Sequence, residues 1–267
     1  MSRLQARPIL VSVAAALLLA AASGSWAQAP APAPAPPTAP PVPTAQEPLS
    51  AKLHASGMVR ITRGDVELAL IELNAHGPQW KHAPQASAAA EVSDLPGRAG
   101  KRFVGTLPVP NTDGGALKFA ESVKALPQGF ALEYDLGLTK AMKLNGLQVS
   151  VLLPVAQYAG KELLIARPDG EPEIASLPQE QEGQTFQVWS GEGARIEAAK
   201  GTDAAITIEL RAAADVVVQD LRRWGSPAFE IRFPAIMQDE GRDVAADDSF
   251  HLDLTVTFPT PVKLAGP

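Results

Sequence analysis

The sequence predicts an all-β protein: a large antiparallel β-sandwich of ten or more strands with little helix. Three observations predict it. Large apolar side chains recur at every second position over long runs. Short clusters of Gly, Pro and Asn separate the runs. Hardly any stretch shows the three-to-four spacing of an amphipathic helix. Side chains of a strand point alternately to opposite faces, so such runs give sheets with one greasy face, and two such faces close on each other.

The first 48 residues stand apart from this pattern. Arg3 and Arg7 form a positive start, Ile9 to Ala22 is unbroken apolar chain, and Ser25-Trp26-Ala27 offers small residues for cleavage. The apolar stretch is about 14 residues, short of the roughly 20 needed to span a bilayer. Residues 1–27 therefore read as an export signal cut after Ala27, and the mature protein as periplasmic or extracellular, with no transmembrane segment. Residues 28–48 are a Pro/Ala-rich linker in which proline fixes φ and removes amide donors, so neither helix nor sheet is expected there. Residues 49–267 form the sandwich domain.

Within that domain the runs follow in order. Shorter ones lie at Val59 to Ile61, Val66 to Leu73 and Phe103 to Leu107, with the polar, alanine-rich residues 77–100 read as a loop. Leu117 to Leu126 has a helical composition, with Phe119, Val123 and Leu126 on one side, but an extended reading fits almost as well. Phe130, Leu132, Tyr134, Leu136 and Leu138 alternate with small or acidic residues. So do Leu147 to Leu153, Ile206 to Leu210, Phe229 to Phe233 and Phe250 to Phe258. Less regular runs lie at Leu163 to Ile165, Phe186 to Trp189 and Val216 to Val218. Turn signals include Asn111 to Gly115, Pro127-Gln128-Gly129, Asn145-Gly146 and Pro168-Asp169-Gly170.

Charge and composition narrow the function. The formal charge of −6 becomes −8 once Arg3 and Arg7 leave with the signal, and no basic face exists to bind nucleic acid. The absence of cysteine removes disulfides, thiolate chemistry and lipidation at a signal cysteine, so the domain must be held by burial. No nucleophile elbow, phosphate loop or dinucleotide fingerprint is present. Glu133 and Asp135 are strand-borne acids of the kind that hydrolyse glycosides, although on a half-exposed strand such residues commonly serve solubility. His76, Trp80 and His82 lie together in one segment, but their spacing matches no zinc pattern, and His251 reads as an outward strand residue. No cofactor is expected. Asp239, Glu240, Asp243, Asp247 and Asp248 form an acid-rich loop where calcium would find several oxygens, although the spacing is not that of an EF-hand.

Trp189 and Trp224 each stand at a strand end beside a glycine, where an indole offers a flat platform for a sugar ring. Asp220, Arg222 and Arg223 lie close enough in sequence to Trp224 to bond hydroxyl groups. These five residues are the candidate ligand site, with carbohydrate as the candidate partner.

Ala205-Ile-Thr-Ile-Glu-Leu210, Val216 to Gly225 and Phe229-Glu-Ile-Arg-Phe233 together resemble part of a known family. The resemblance is to the galactose-mutarotase-like, non-catalytic β-sandwich modules of secreted bacterial glycoside hydrolases. Gly129 to Tyr134 and Leu144 to Pro154 extend it, so that it covers about residues 115–258. It implies a carbohydrate-binding or accessory module. No catalytic domain follows, so an enzyme partner would be a separate chain. A sugar-active hydrolase, lyase or epimerase on the same fold, or an envelope assembly protein using a free sheet edge, are the alternatives.

Overall fold

Alternation drives the chain into sixteen strands among the described residues. The structure is a computed structural model describing residues 47–267 apart from Arg98, Glu182 and Gln184. The segment read as an export signal, and all but the end of the segment read as a Pro/Ala linker, lie outside the described residues. The described residues fall in one compact unit, and no helix among them is long and apolar enough to cross a membrane.

The strands, in chain order, begin with β1 (Leu49–Leu53), β2 (Val59–Arg63), β3 (Val66–Gly77), β4 (Lys81–Pro84) and β5 (Ala89–Asp94). Then come the long meander strands β6 (Gly100–Pro108), β7 (Ala116–Leu126), β8 (Gly129–Leu138) and β9 (Met142–Pro154). After one helical turn, Val155–Tyr158, follow β10 (Glu162–Ala166), β11 (Glu173–Ser176), β12 (Gln187–Ala198) and β13 (Ile206–Asp220). β14 (Ala228–Val244), β15 (Ser249–Thr257) and β16 (Val262–Ala265) complete the fold.

Hydrogen bonds link them along the path β16-β1-β2-β3-β9-β14-β13-β15-β8-β7-β6-β5. All pairs are antiparallel except β1 with β16. The path turns a corner at β13: Val217–Asp220 pair with β14, while Thr207–Leu210 pair with β15. The two arms thus close on a shared core containing Ile71, Leu73, Val151, Phe229 and Ile231 from one side, and Phe103, Leu117, Phe130 and Leu132 from the other. Each such side chain, fully buried, contributes roughly 1.5–3 kcal/mol, which is how a cysteine-free domain is held.

Two expectations are overturned and one is decided. Residues 77–100 are not a loop, for they contain β4 and β5. β5 is an edge strand with five of its six residues exposed, so it never needed an apolar alternation. Leu117 to Leu126 is strand β7, and its inward positions are Leu117, Phe119, Glu121 and Val123. A buried glutamate in that series broke the visible alternation. Asn145-Gly146 is not a turn but the interior of β9, where a glycine permits close approach from above.

Candidate functional site

The strands that build the core also carry a second face. In β3, β9 and β14 the odd-numbered positions Ile71, Leu73, Val149, Val151, Phe229 and Ile231 enter the core. The positions between them therefore point to the opposite side. The register sets Glu72 beside Ser150, Asn74 beside Gln148, Ser150 beside Arg232, and Gln219 beside Glu230. His82 of β4 lies opposite His76. This face is polar yet largely covered: Glu72, Asn74, Gln148, Ser150, Gln219 and Glu230 are all buried, while His82 is exposed and Trp80 and Arg232 are half-buried.

A continuous hydrogen-bond chain crosses it. His82 Nε2 lies 2.7 Å from Asn74 Oδ1. The Asn74 amide donates to Ser150 Oγ at 3.2 Å and to Glu72 Oε1 at 3.4 Å. Ser150 Oγ donates to Glu230 Oε1 at 2.6 Å, and Arg232 Nε donates to Glu230 Oε2 at 2.7 Å. Because Asn74 spends its nitrogen on Ser150 and Glu72, its oxygen must accept. His82 therefore carries its proton on Nε2, and its Nδ1 is an acceptor. Apart from the Asn74 donation to Glu72, the donors run toward Glu230.

A corner of the same face is tighter. His76 stacks on His82 with ring centroids 5.0 Å apart and meets the edge of Trp80 at 5.4 Å. A Cβ on Gly146 would lie 3.0 Å from His76 Nδ1, 3.1 Å from Gln148 Oε1 and 3.1 Å from the Trp80 ring. The missing side chain is what lets these three groups converge. Gln79 and Trp80 both hold positive φ, 65° and 55°, a conformation that costs non-glycine residues energy and gathers at functional sites. His76 Nδ1, Gln148 Nε2 and Gln219 Oε1 are buried without a well-formed hydrogen bond. They are three of the five such side-chain atoms among the described residues.

Burial sets the protonation of the face. It pushes His76 down to about 3, helped by the nearby His82 and Arg232 and opposed by a hydrogen bond with Gln148. Partial desolvation lowers His82 as well, exposed though the residue is, with Glu230 opposing and Arg232 assisting. Burial raises Glu72, against the hydrogen bond from Asn74 and with the charge of Glu230. Both imidazoles are therefore neutral at pH 7. Their rings are stacked rather than convergent, and no group of three or more His, Asp or Glu among the described residues could hold a metal. The acidic segment Asp239 to Asp248 accordingly forms no such cluster. Asp239 and Gln238 instead give their carbonyls to the Asn145 amide, and Asp248 caps the Ala245 amide.

The sequence-derived site lies elsewhere, at the end of β13. Asp220 is buried and accepts from Arg222 Nε and Nη2, the latter at 2.7 Å. Arg222 also donates to the Pro178 and Gln179 carbonyls and sits over the Phe229 ring at 5.1 Å. Both residues are thus committed to closing the edge of the core. Trp189 is half-buried and donates from Nε1 to Glu173 at 2.7 Å. Trp224 is 59% exposed and meets Phe186 edge-on at 5.0 Å. Arg223 is exposed beside it. Trp189 and Trp224 do not stack on each other.

Glu133 and Asp135 sit on the outer face of β8, paired with Lys124 and His251 respectively. Sequence reasoning singled out His76, Trp80 and His82 but missed Glu72, Ser150, Glu230 and Arg232. Only strand register brings those together.

No family model matches the chain, and no curated protein matches it. Solved structures are similar to it at low identity. A galactose mutarotase-like protein from Lactobacillus casei ATCC 334 matches at 11% identity and TM-score 0.46, over 81% of this chain and 98% of that one. A galactose mutarotase related enzyme from Lactobacillus acidophilus matches at 7% identity and TM-score 0.43, over 78% and 93%. A 4-α-glucanotransferase from Thermococcus litoralis matches at 11% identity and TM-score 0.43, over 70% of this chain. The chain spans 27% of that glucanotransferase. Galactose mutarotase-like proteins are therefore among the structures it resembles, as the sequence resemblance implied. Identities this low assign no family and no activity.

Proposed function

We propose that the chain is an exported carbohydrate-binding protein whose ligand rests on the polar face of β4, β3, β9, β14 and β13. One observation carries this reading. His76 Nδ1, Gln148 Nε2 and Gln219 Oε1 are buried polar atoms without a well-formed hydrogen bond, and all lie on that face. Buried polar groups are ordinarily well paired, so a cluster of poorly satisfied ones favours a partner from outside. A sugar hydroxyl donates and accepts at once, and the Trp80 ring beside the corner supplies a surface for C–H groups. Export is supported by Arg3, Arg7, the apolar stretch Ile9 to Ala22 and the Ser25-Trp26-Ala27 site.

The test is calorimetric titration of the mature chain with a panel of neutral and acidic glycans. Gly146→Ala fills the space beneath His76, Gln148 and Trp80, and should weaken binding about tenfold or more. Trp224→Ala, at the end of β13, should leave it unchanged. Binding by no glycan, or loss with Trp224→Ala and not with Gly146→Ala, would overturn the reading.

A second reading, a sugar-active enzyme on the same face, is favoured by Glu72 and His82. Burial raises the carboxyl and lowers the imidazole, so their working ranges approach each other, and Asn74 bonds both. Turnover of a bound sugar, followed by NMR and lost in His82→Ala, would establish it.

A further inference from the structure

Resting on the carbohydrate reading, we infer that this face selects acidic sugars, with the Arg232 guanidinium gripping the ligand's anionic group while His82 Nδ1 accepts a ring hydroxyl. The inference follows from how each member of the hydrogen-bond chain spends its donors. Arg232 commits one N–H, on Nε, to Glu230. Among the described residues no hydrogen bond is made by its two terminal NH2 groups, and its side chain keeps 13% exposure. A guanidinium edge with two parallel donors matches a carboxylate or phosphate bidentately, which an ammonium or amide cannot do.

At the other end, the direction of the chain leaves Nδ1 of the exposed residue His82 as an acceptor with no hydrogen bond among the described residues. That atom accepts from a hydroxyl and repels nothing anionic by being itself neutral. The two carboxyl groups nearby do not close the site to an anion. Glu230 is held from both sides by Ser150 and Arg232, and Glu72 accepts from Asn74. The face therefore displays a paired donor and a single acceptor, the complement of a sugar bearing one acid group and free hydroxyls. Carboxylate and phosphate share that chemistry, and the choice of probe separates them.

The mature chain is titrated with glucuronate, galacturonate and glucose 6-phosphate, and with glucose and galactose, at low salt. At least one acidic sugar should bind about tenfold more tightly than its neutral parent, as expected for a charge-assisted bidentate contact. Uronate preference assigns the grip to a carboxylate; preference for the 6-phosphate assigns it to a phosphate. Arg232→Gln should erase the preference for an acidic sugar over its neutral parent.

Because that change leaves Glu230 buried without its partner, Arg232→Gln combined with Glu230→Gln is measured beside it. Thermal melts confirm that both variants are folded. Equal affinity for acidic and neutral sugars overturns the inference alone, as does a preference that survives both variants. So does a preference abolished instead by Lys140→Gln with Lys143→Gln, which line a separate cleft of about 520 Å³ with Asn111 and Asp113. A chain that binds no sugar of either kind overturns the binding reading itself.

Discussion

Raising the pH should destabilise this protein through one buried carboxyl group, Glu121. It projects from β7 into the core with no exposure at all. Tyr134 Oη lies 3.1 Å from its Oε1, and Gln85 Nε2 donates to its Oε2 at 2.6 Å. Gln85 in turn bonds the Ser56 carbonyl and the Leu73 amide, so the cluster ties β7 and β8 to β3 and to the turn after β1. Burial pushes Glu121 up to about 8 from 4.5, against the two hydrogen bonds.

The sign is then determined. Below pH 4.5 both folded and unfolded chains hold the proton, and this contribution is fully present. Between 4.5 and about 8 only the folded chain holds it, so stability falls as pH rises; above 8 the loss is complete. The difference amounts to roughly 5 kcal/mol at about 1.4 kcal/mol per unit. That is a large share of the ~5–15 kcal/mol of a typical domain.

Other groups titrate in the same window. Glu72, also raised, adds to the fall, whereas His76, buried neutral, makes stability rise with pH up to its unfolded value near 6.5. The Glu121→Gln variant isolates the one group, since an amide can still accept from Gln85 and donate to the Tyr134 oxygen. Urea unfolding at pH 5, 7 and 9 is the assay. The variant should gain on the parent by several kcal/mol from pH 5 to 9. Parallel stability curves for the two proteins across that range would refute the reasoning.

Two further outcomes follow from the same geometry. Gly57 holds φ +99°, and a Cβ there would lie 2.1 Å from Glu121 Oε2 and 2.6 Å from Gln85 Nε2. Gly57→Ala should therefore cost about 2 kcal/mol or more, read as a fall of several degrees in melting temperature; an unchanged melt would show that the turn relaxes freely. Ser150→Ala removes both the acceptor of Asn74 and a donor to Glu230, leaving buried groups short of partners. It should cost about 2–3 kcal/mol, measured as a lowered urea midpoint, and a midpoint equal to the parent's would mean that the chain across β3, β9 and β14 is not a structural unit.

Why the fold could be read and the site could not is a matter of what alternation encodes. Phe130 to Leu138 and Leu147 to Leu153 were legible because a strand with one face in the core must place a large apolar residue at every second position, and these do. The same rule sorts the intervening residues as outward, and there it stops. Glu230 and Arg232 look like solvated charges, yet they are 4% and 13% exposed at the side chain, because outward from the core is not outward to water. What covers and joins them is register. Glu72, Ser150 and Glu230 are separated by 78 and 80 positions along the chain but lie on neighbouring strands.

Trp189 and Trp224 present the opposite case. Their chemistry was visible in sequence, but each is governed by a local partner, Glu173 or Phe186, that spacing alone did not reveal. Glu121 joins the two lessons. A glutamate at an inward position looks like a break in a strand, and it made β7 resemble a helix. Its tolerance depends on Tyr134 across the sheet and Gln85 from a turn that had been read as loop. A polar residue interrupting an otherwise apolar face is thus a signal in itself: either the strand ends there, or partners from distant segments wait for it, and only their convergence distinguishes the two.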